Sequence, residues 1–463
     1  MFAKTGTNNL TEGNISKQLF QFAMPLLLGN MLQQVYFIAD SIIVGRCIGS
    51  TALAAVGAAT AITILMVNFF LGMAGGAGII LAQYVGAGDN RRLGQTIYSA
   101  TIFTLLFGTL CSIIGAIFTP EFLKMMDTPS NVFDQADKYL TYCFIGMLPM
   151  LIYNMGAACL QAMGDSKTPL YFLCIASVIN VVLDLFFIQV IGMDVEGTAI
   201  ATCIAQLIAA ILVGITLFKK IKKIKAPIEE GAIEEIQNKE KVLLGIFKKM
   251  VVLGLPIGMQ SVVINLSNIV VQSHINSLGS DVMAAWSAFC RLDGFIILPF
   301  LSFGIAVMTF TGQNYGAKKA DRIFGGVKVG MIMSCAFTIG VGIVIIIFAK
   351  PCFSIFTDSA IVIEYACEMV YFMVPLYSLL AATRIYIGVI SGMGNSITPM
   401  IITIVFMCVF RVIFLPLAAQ MIGRNLMVVY YTYWISWVLS LVSIMAYYYI
   451  KMKSKINDLS KQY

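Results

Sequence analysis

Residues 161–170 read Gln-Ala-Met-Gly-Asp-Ser-Lys-Thr-Pro-Leu, and residues 391–400 read Ser-Gly-Met-Gly-Asn-Ser-Ile-Thr-Pro-Met, a displacement of 391 − 161 = 230. The same displacement carries Gln83, Gly86 and Ala87 onto Gln313, Gly316 and Ala317, and one of 231 carries Pro25 onto Pro256. The chain is a duplication, with two copies of one unit filling its 463 residues. In an apolar chain a duplicated unit points to a transporter of two lobes around a central path.

Hydrophobic residues make up 59% of the sequence and charged residues 11%. Soluble domains are about one-quarter charged, so a soluble globule is excluded. Apolar stretches of membrane-spanning length recur between short polar breaks, and ten-residue alternation of the β-barrel kind is absent, so the spans are helices. Twelve are expected, over 16–45, 51–83, 93–119, 134–163, 168–191, 195–220, 246–276, 282–313, 321–351, 360–393, 398–422 and 425–452. The first twenty residues lack a short apolar core followed by a cleavage site, so the first helix is expected to stay in the mature protein.

Basic residues fix an expected orientation. Lys4 and Lys17 precede the first helix, Arg91 and Arg92 follow the second, Lys167 the fourth, and Lys219, Lys220, Lys222, Lys223 and Lys225 the sixth. Lys318, Lys319 and Arg322 follow the eighth, and Lys451, Lys453 and Lys455 the twelfth. These fall on one side, which the positive-inside rule makes cytoplasmic, with both termini there. The opposite loops carry acids such as Glu121, Asp127, Asp134, Asp358 and Glu364. The net charge of +7 is thus a sign of topology, and nucleic-acid binding is not expected. The eleven scattered cysteines, without a C-x-x-C pair, read as small core residues.

The expected organisation is a first lobe over 1–218, a charged cytoplasmic linker over 219–245 and a second lobe over 246–463. Six helices per lobe send both copies into the membrane in the same sense, related by a pseudo-twofold axis along the membrane normal. Gly72, Gly75, Gly76 and Gly78 give the second helix a small-residue face suited to close packing.

Charges within spans cost about 2.5–3.5 kcal/mol at mid-helix, so each is a functional candidate. They are Asp40 and Asp184 in the first half, and Arg291, Asp293, Arg384 and Arg411 in the second. Asp40 shares a helix face with Gln33 and Tyr36, Asn180 and Asp184 are four apart on the fifth helix, and Thr202 is on the sixth. Two carboxylates, an amide oxygen and a hydroxyl are hard donors suited to Na⁺, and paired carboxylates can equally share a proton. Arg291, Asp293 and Arg384 suggest a neutralised charge network, with substrate binding as the alternative, and His274 a surface or packing residue near the outer end of the seventh helix. No phosphate loop, H-E-x-x-H or G-x-S-x-G motif is present. Gly86-Ala87-Gly88-Asp89 imitates the G-x-G-D of intramembrane aspartyl proteases but precedes a basic turn, as a loop between helices does.

The chain resembles the multidrug and toxic compound extrusion (MATE) transporters over almost its full length. The resemblance rests on Met24-Pro25 with Gln33, Gln34 and Asp40; on Gln83-Tyr84-Val85-Gly86-Ala87-Gly88; on Met163 to Pro169; and on the matching Gln313-Asn314-Tyr315-Gly316-Ala317 and Met393 to Pro399. It implies an all-α membrane protein of two six-helix lobes and no enzymatic activity. It further implies an antiporter of the cytoplasmic membrane expelling organic, often cationic, compounds in exchange for Na⁺ or H⁺. Beyond that ion no cofactor is implied, and the expected partners are small-molecule substrates and lipids, with a monomer as the unit. Asp40, Asn180, Asp184 and Thr202 match the cation site, and Gln33, Tyr36 and Asn154 the drug cavity, of the DinF-like and MepA-like branch. Where the NorM-like branch has acids, this chain has Ile264, Asn265, Ala381 and Ala382, which favours the first lobe as the place of coupling. The rival expectations are a flippase for lipids or lipid-linked sugars and, from another class, a protease using Asp89.

Overall fold

The computed structural model describes residues 9–224 and 235–460. Lys4 and part of the charged linker, including Lys225, Pro227, Glu229, Glu230 and Glu234, lie outside the described residues. Among the described residues there is no β-strand, as expected where the backbone must satisfy itself within each segment.

Among the described residues eleven helices are long and apolar enough to cross a membrane, and a bent pair makes twelve. In chain order they are α1 (Ile15–Cys47), α2 (Ser50–Ala87), α3 (Asn90–Ile117), α4 (Ser130–Ile145 and Met147–Ala162, bent by 44°), α5 (Lys167–Ile191) and α6 (Glu196–Lys223). The second half repeats the set as α7 (Leu243–Asn276), α8 (Ser280–Gly316), α9 (Ala320–Ser354), α10 (Ala360–Gly392), α11 (Ile397–Ile422) and α12 (Leu426–Leu459). Each expected span has its helix. The bend in α4 falls at Gly146, where a Cβ would sit 2.1 Å from the Cys203 sulfur, so only glycine lets α4 lie this close to α6.

The duplicated phrase is a device for starting a helix. Gly164 and Gly394 turn the chain with φ of 84° and 90°, a conformation that costs any residue with a Cβ. The Asp165 carboxylate then accepts from the Thr168 amide at 3.0 Å and its hydroxyl at 2.8 Å. Asn395 accepts from the Thr398 amide at 3.2 Å, repeating the cap with an amide side chain. Capping satisfies backbone donors that a helix start leaves free, and the prolines that follow, Pro169 and Pro399, fit the first turn. Asp89 has the same kind of task, accepting from the Arg92 amide at 2.9 Å as the cap of α3, which removes the basis for a protease reading.

The chain forms two compact units, one built on Leu28–Gly258, the other on Leu10–Leu27 with Met259–Tyr463. The sequence reading divides the chain at 218 and 246. The compact units instead change over after Leu27 and after Gly258, positions 258 − 27 = 231 apart, each two residues beyond the duplicated proline. Packing explains both changeovers. In the first unit the start of α7 lies against the glycine face of α2: a Cβ on Gly72 would meet the Gly258 nitrogen at 2.1 Å, and one on Gly76 the Gly254 nitrogen at 2.4 Å. In the second unit Leu19, Phe22, Ala23 and Leu26 share a core with Phe303, Val307, Phe310 and Tyr386. The segment before α1 is clasped there too, with the Leu10 amide donating to Gln313 at 3.1 Å and Arg322 donating to the Gly13 and Leu10 carbonyls at 2.8 and 3.0 Å.

Candidate functional site

In the first unit, α1 presents Gln33, Tyr36 and Asp40 along one face, α5 presents Asn180 and Asp184, and α6 presents Thr202. The Thr202 hydroxyl is the meeting point: it lies 2.9 Å from the Tyr36 hydroxyl and accepts from the Asn180 amide nitrogen at 3.2 Å. Asp184 is 0% exposed, Asn180 1% and Asp40 7%. Four oxygens of these three residues are buried without a hydrogen-bond partner among the described residues: Asp40 Oδ1, Asn180 Oδ1 and both carboxylate oxygens of Asp184. The Asp40 and Asp184 charges act on one another, and Tyr36 feels both.

A buried acceptor without a partner costs about 1–3 kcal/mol, and more if charged. Orphaned acceptors lie on two helices, and two of them make up a full carboxylate, an arrangement that positive charge would satisfy. The donor set fits a hard cation, which prefers carboxylate, carbonyl and hydroxyl oxygen, and it fits a proton shared between acids equally well.

The structure thus brings Tyr36, Asn180 and Thr202 into direct hydrogen-bond contact, with Asp40 and Asp184 buried in the same electrostatic neighbourhood. Gln33 is half-buried, and the Asn154 amide is turned to its own helix, donating to the Met150 carbonyl at 2.9 Å. Two further residues belong to this neighbourhood. Tyr139 of α4 is buried within electrostatic reach of Asp40 and Tyr36. Gln206 follows Thr202 by one helical turn and also has a buried, unpartnered carbonyl oxygen. The i to i+4 spacing of Thr202 and Gln206 is the signal that could have found the second; nothing in the α4 sequence singles out Tyr139.

The second unit departs from the expected charge network. No ion pair joins Arg291, Asp293 and Arg384 among the described residues. Asp293 accepts a hydrogen bond from the Tyr377 hydroxyl, and Arg291 is exposed, with its guanidinium 5.8 Å from the centre of the Phe356 ring. The buried Arg411 donates to Ser436 at 3.0 Å and lies over the Tyr433 ring at 4.1 Å. Helical spacing placed Arg291 and Asp293 two apart, which points them in different directions. His274 is buried near the end of α7.

The family model MatE matches the chain twice, over residues 25–186 and 256–417, the duplication in another form. The chain belongs to the MatE family, whose members are transporters and not enzymes. It is 30% identical over 419 residues to the probable multidrug resistance protein YpnP of Bacillus subtilis (strain 168), covering 90% of this chain and 91% of that protein. With the probable multidrug resistance protein YoeA of the same organism it shares 29% identity over 405 residues, 86% of each. The fold matches a solved outward-facing structure of a multidrug resistance MATE family transporter with TM-score 0.87, at 21% identity and 99% coverage of each chain.

Proposed function

We propose that this transporter is an antiporter of the cell membrane that exports organic, often cationic, compounds in exchange for Na⁺ or H⁺, coupled through Asp40, Asn180, Asp184 and Thr202. The observation that carries this reading is the set of four orphaned buried oxygens on α1 and α5 beside the Thr202 hydroxyl. An inward-moving cation or proton satisfies those oxygens, while an empty, doubly charged site is costly, so occupancy biases which conformation of the protein is favoured. Gln33 and Tyr36, on the same face of α1 as Asp40, place substrate contacts beside the ion site, so that ion and cargo compete for one stretch of helix. Relatives that carry the name of multidrug resistance proteins support the cargo class.

The driving force is adequate. A potential of 100 mV supplies about 2.3 kcal/mol per charge moved inward, which balances roughly a fiftyfold gradient of a neutral compound. Basic residues from Arg91 to Lys223 and from Lys318 to Lys455, in alternate loops, put those loops and both chain ends in the cytoplasm under the positive-inside rule.

The test is transport of ethidium by reconstituted protein under an imposed Na⁺ or H⁺ gradient. Asp184→Asn and Asp40→Asn keep shape and remove charge, so gradient-driven export should fall to background while the protein still inserts. Thr202→Ala should be milder. At fixed membrane potential, dependence on external Na⁺ or on external pH identifies the ion. Export at the parent rate by both carboxylate variants overturns the assignment.

A further inference from the structure

Charge inside the second unit is balanced at one place and unbalanced at another. Asp293 and Arg411 are joined through two tyrosines: Tyr377 donates to Asp293, Arg411 lies over the Tyr433 ring, and Tyr433 feels both charges. The two tyrosines pack with Trp437 at 5.3 and 5.5 Å between ring centres, which holds the arrangement together. Arg411 also has Ser436.

Arg384 has none of this. Among the described residues no hydrogen bond, ion pair or aromatic ring holds its guanidinium. Asp293 is engaged by Tyr377.

Arg384 is partly exposed on a stretch of α10 that is otherwise closely packed. From Leu376 to Met393 no residue of α10 is exposed, so this stretch offers no lipid-facing or loop-like side. Leu376, Leu380, Arg384 and Ile387 form a partly open stripe at helical spacing, while Ala381, Ile385, Tyr386, Val389 and Ile390 are fully packed. The backbone there is fixed by a close glycine contact: a Cβ on Gly388 would meet the Gly304 carbonyl at 2.6 Å. Eight residues separate Arg384 from the end of α10 at Gly392, about 12 Å at 1.5 Å per residue, a long way for snorkelling. An arginine cannot shed its proton to escape the cost.

We propose that Arg384 is the counter-ion for an anionic group, a carboxylate or phosphate-type oxyanion, on transported compounds. The cargo of the exporter then includes zwitterions and anions, with the planar guanidinium reading two oxygens at once. This rests on the export reading above and narrows it to cargo that carries an oxyanion.

The experiment follows the monocarboxylate dansylglycine and the cation ethidium in parallel, in the same proteoliposomes, with binding of dansylglycine to detergent-solubilised protein as a second readout. The parent should bind and export dansylglycine. Arg384→Gln should lower the ratio of dansylglycine to ethidium transport at least tenfold. Arg384→Lys, which keeps the charge without the fork, should lower it severalfold and decides the matter if the glutamine variant does not insert. Export of ethidium without dansylglycine by the parent, or an unchanged ratio in the variants, overturns the proposal and leaves cation export standing. Export of neither compound overturns the export reading, and this inference with it.

Discussion

Asp165 shows what the duplicated phrase does at the scale of one residue. Its carboxylate caps α5 through Thr168 and meets the Lys220 ammonium at 2.6 Å, whereas its counterpart Asn395 caps α11 without a charge and donates to the Tyr447 hydroxyl at 2.8 Å. Burial pushes the Asp165 carboxyl up, but the bonds from Lys220 and Thr168 outweigh it and hold the group below the usual carboxylate range. A carboxyl with a lowered folded pKa stabilises the fold above its unfolded pKa, about 3.9, and that contribution is lost as pH falls through the folded value. Asp165→Asn should therefore keep the cap, as Asn395 does, and lose the Lys220 pair, lowering the thermal midpoint at pH 7. The deficit should shrink as pH is lowered through the carboxylate range. A deficit that is the same at neutral and acid pH would show that the charge contributes nothing. Sequence made Asp40, Asn180, Asp184 and Thr202 legible because polar residues in apolar helices are few. It left the partner of Asp293 hidden, because spacing along α8 says nothing of Tyr377 on another helix, and the same blindness hid Tyr139.

Among the elements, α2 is the one whose composition states its packing. Gly72 and Gly76 are one helical turn apart and meet Gly258 and Gly254 of α7 with backbone against backbone. The reading of this face as a packing surface is what the contact requires, since a methyl group at either position has no room. Gly76→Ala should cost about 1–3 kcal/mol, the usual range for forcing atoms into a packed interior. Gly75→Ala is the control, because a Cβ there meets the Ile257 side chain at an ordinary 3.6 Å. Thermal unfolding of the two variants in detergent should separate them clearly, and equal midpoints would mean that α2 and α7 shift apart without cost. Most span boundaries were legible to within a few residues because polar breaks between apolar runs are sharp, whereas α12 runs on to Leu459, 459 − 452 = 7 residues past its expected end. The break in α4 at Gly146 was not, since a bent span and a straight one have the same hydropathy.

For the whole molecule, twelve spans and an internal duplication followed from sequence, but membership of the compact units did not. The duplication suggests that each half folds on itself; the structure gives the first unit the opening of α7 and the second unit the opening of α1. Hydropathy carries no information on which neighbour a helix chooses, and the glycines that decide it are 254 − 76 = 178 residues apart in the chain.

That separation sets an order of events during synthesis. A ribosome delivers the chain from its N-terminus, so the glycine face of α2 waits in the membrane for the opening of α7 to emerge. Leu10 waits for Gln313, 303 residues later. Neither half can therefore mature before the other has begun to appear, and the cell must shelter an unfinished surface for most of the time of translation. A gene cut within 219–245 should yield two fragments that are degraded when made singly and persist when made together, read as the amount of each in the membrane fraction. Duplication of an ancestral unit has in this way left two copies that depend on each other for completion.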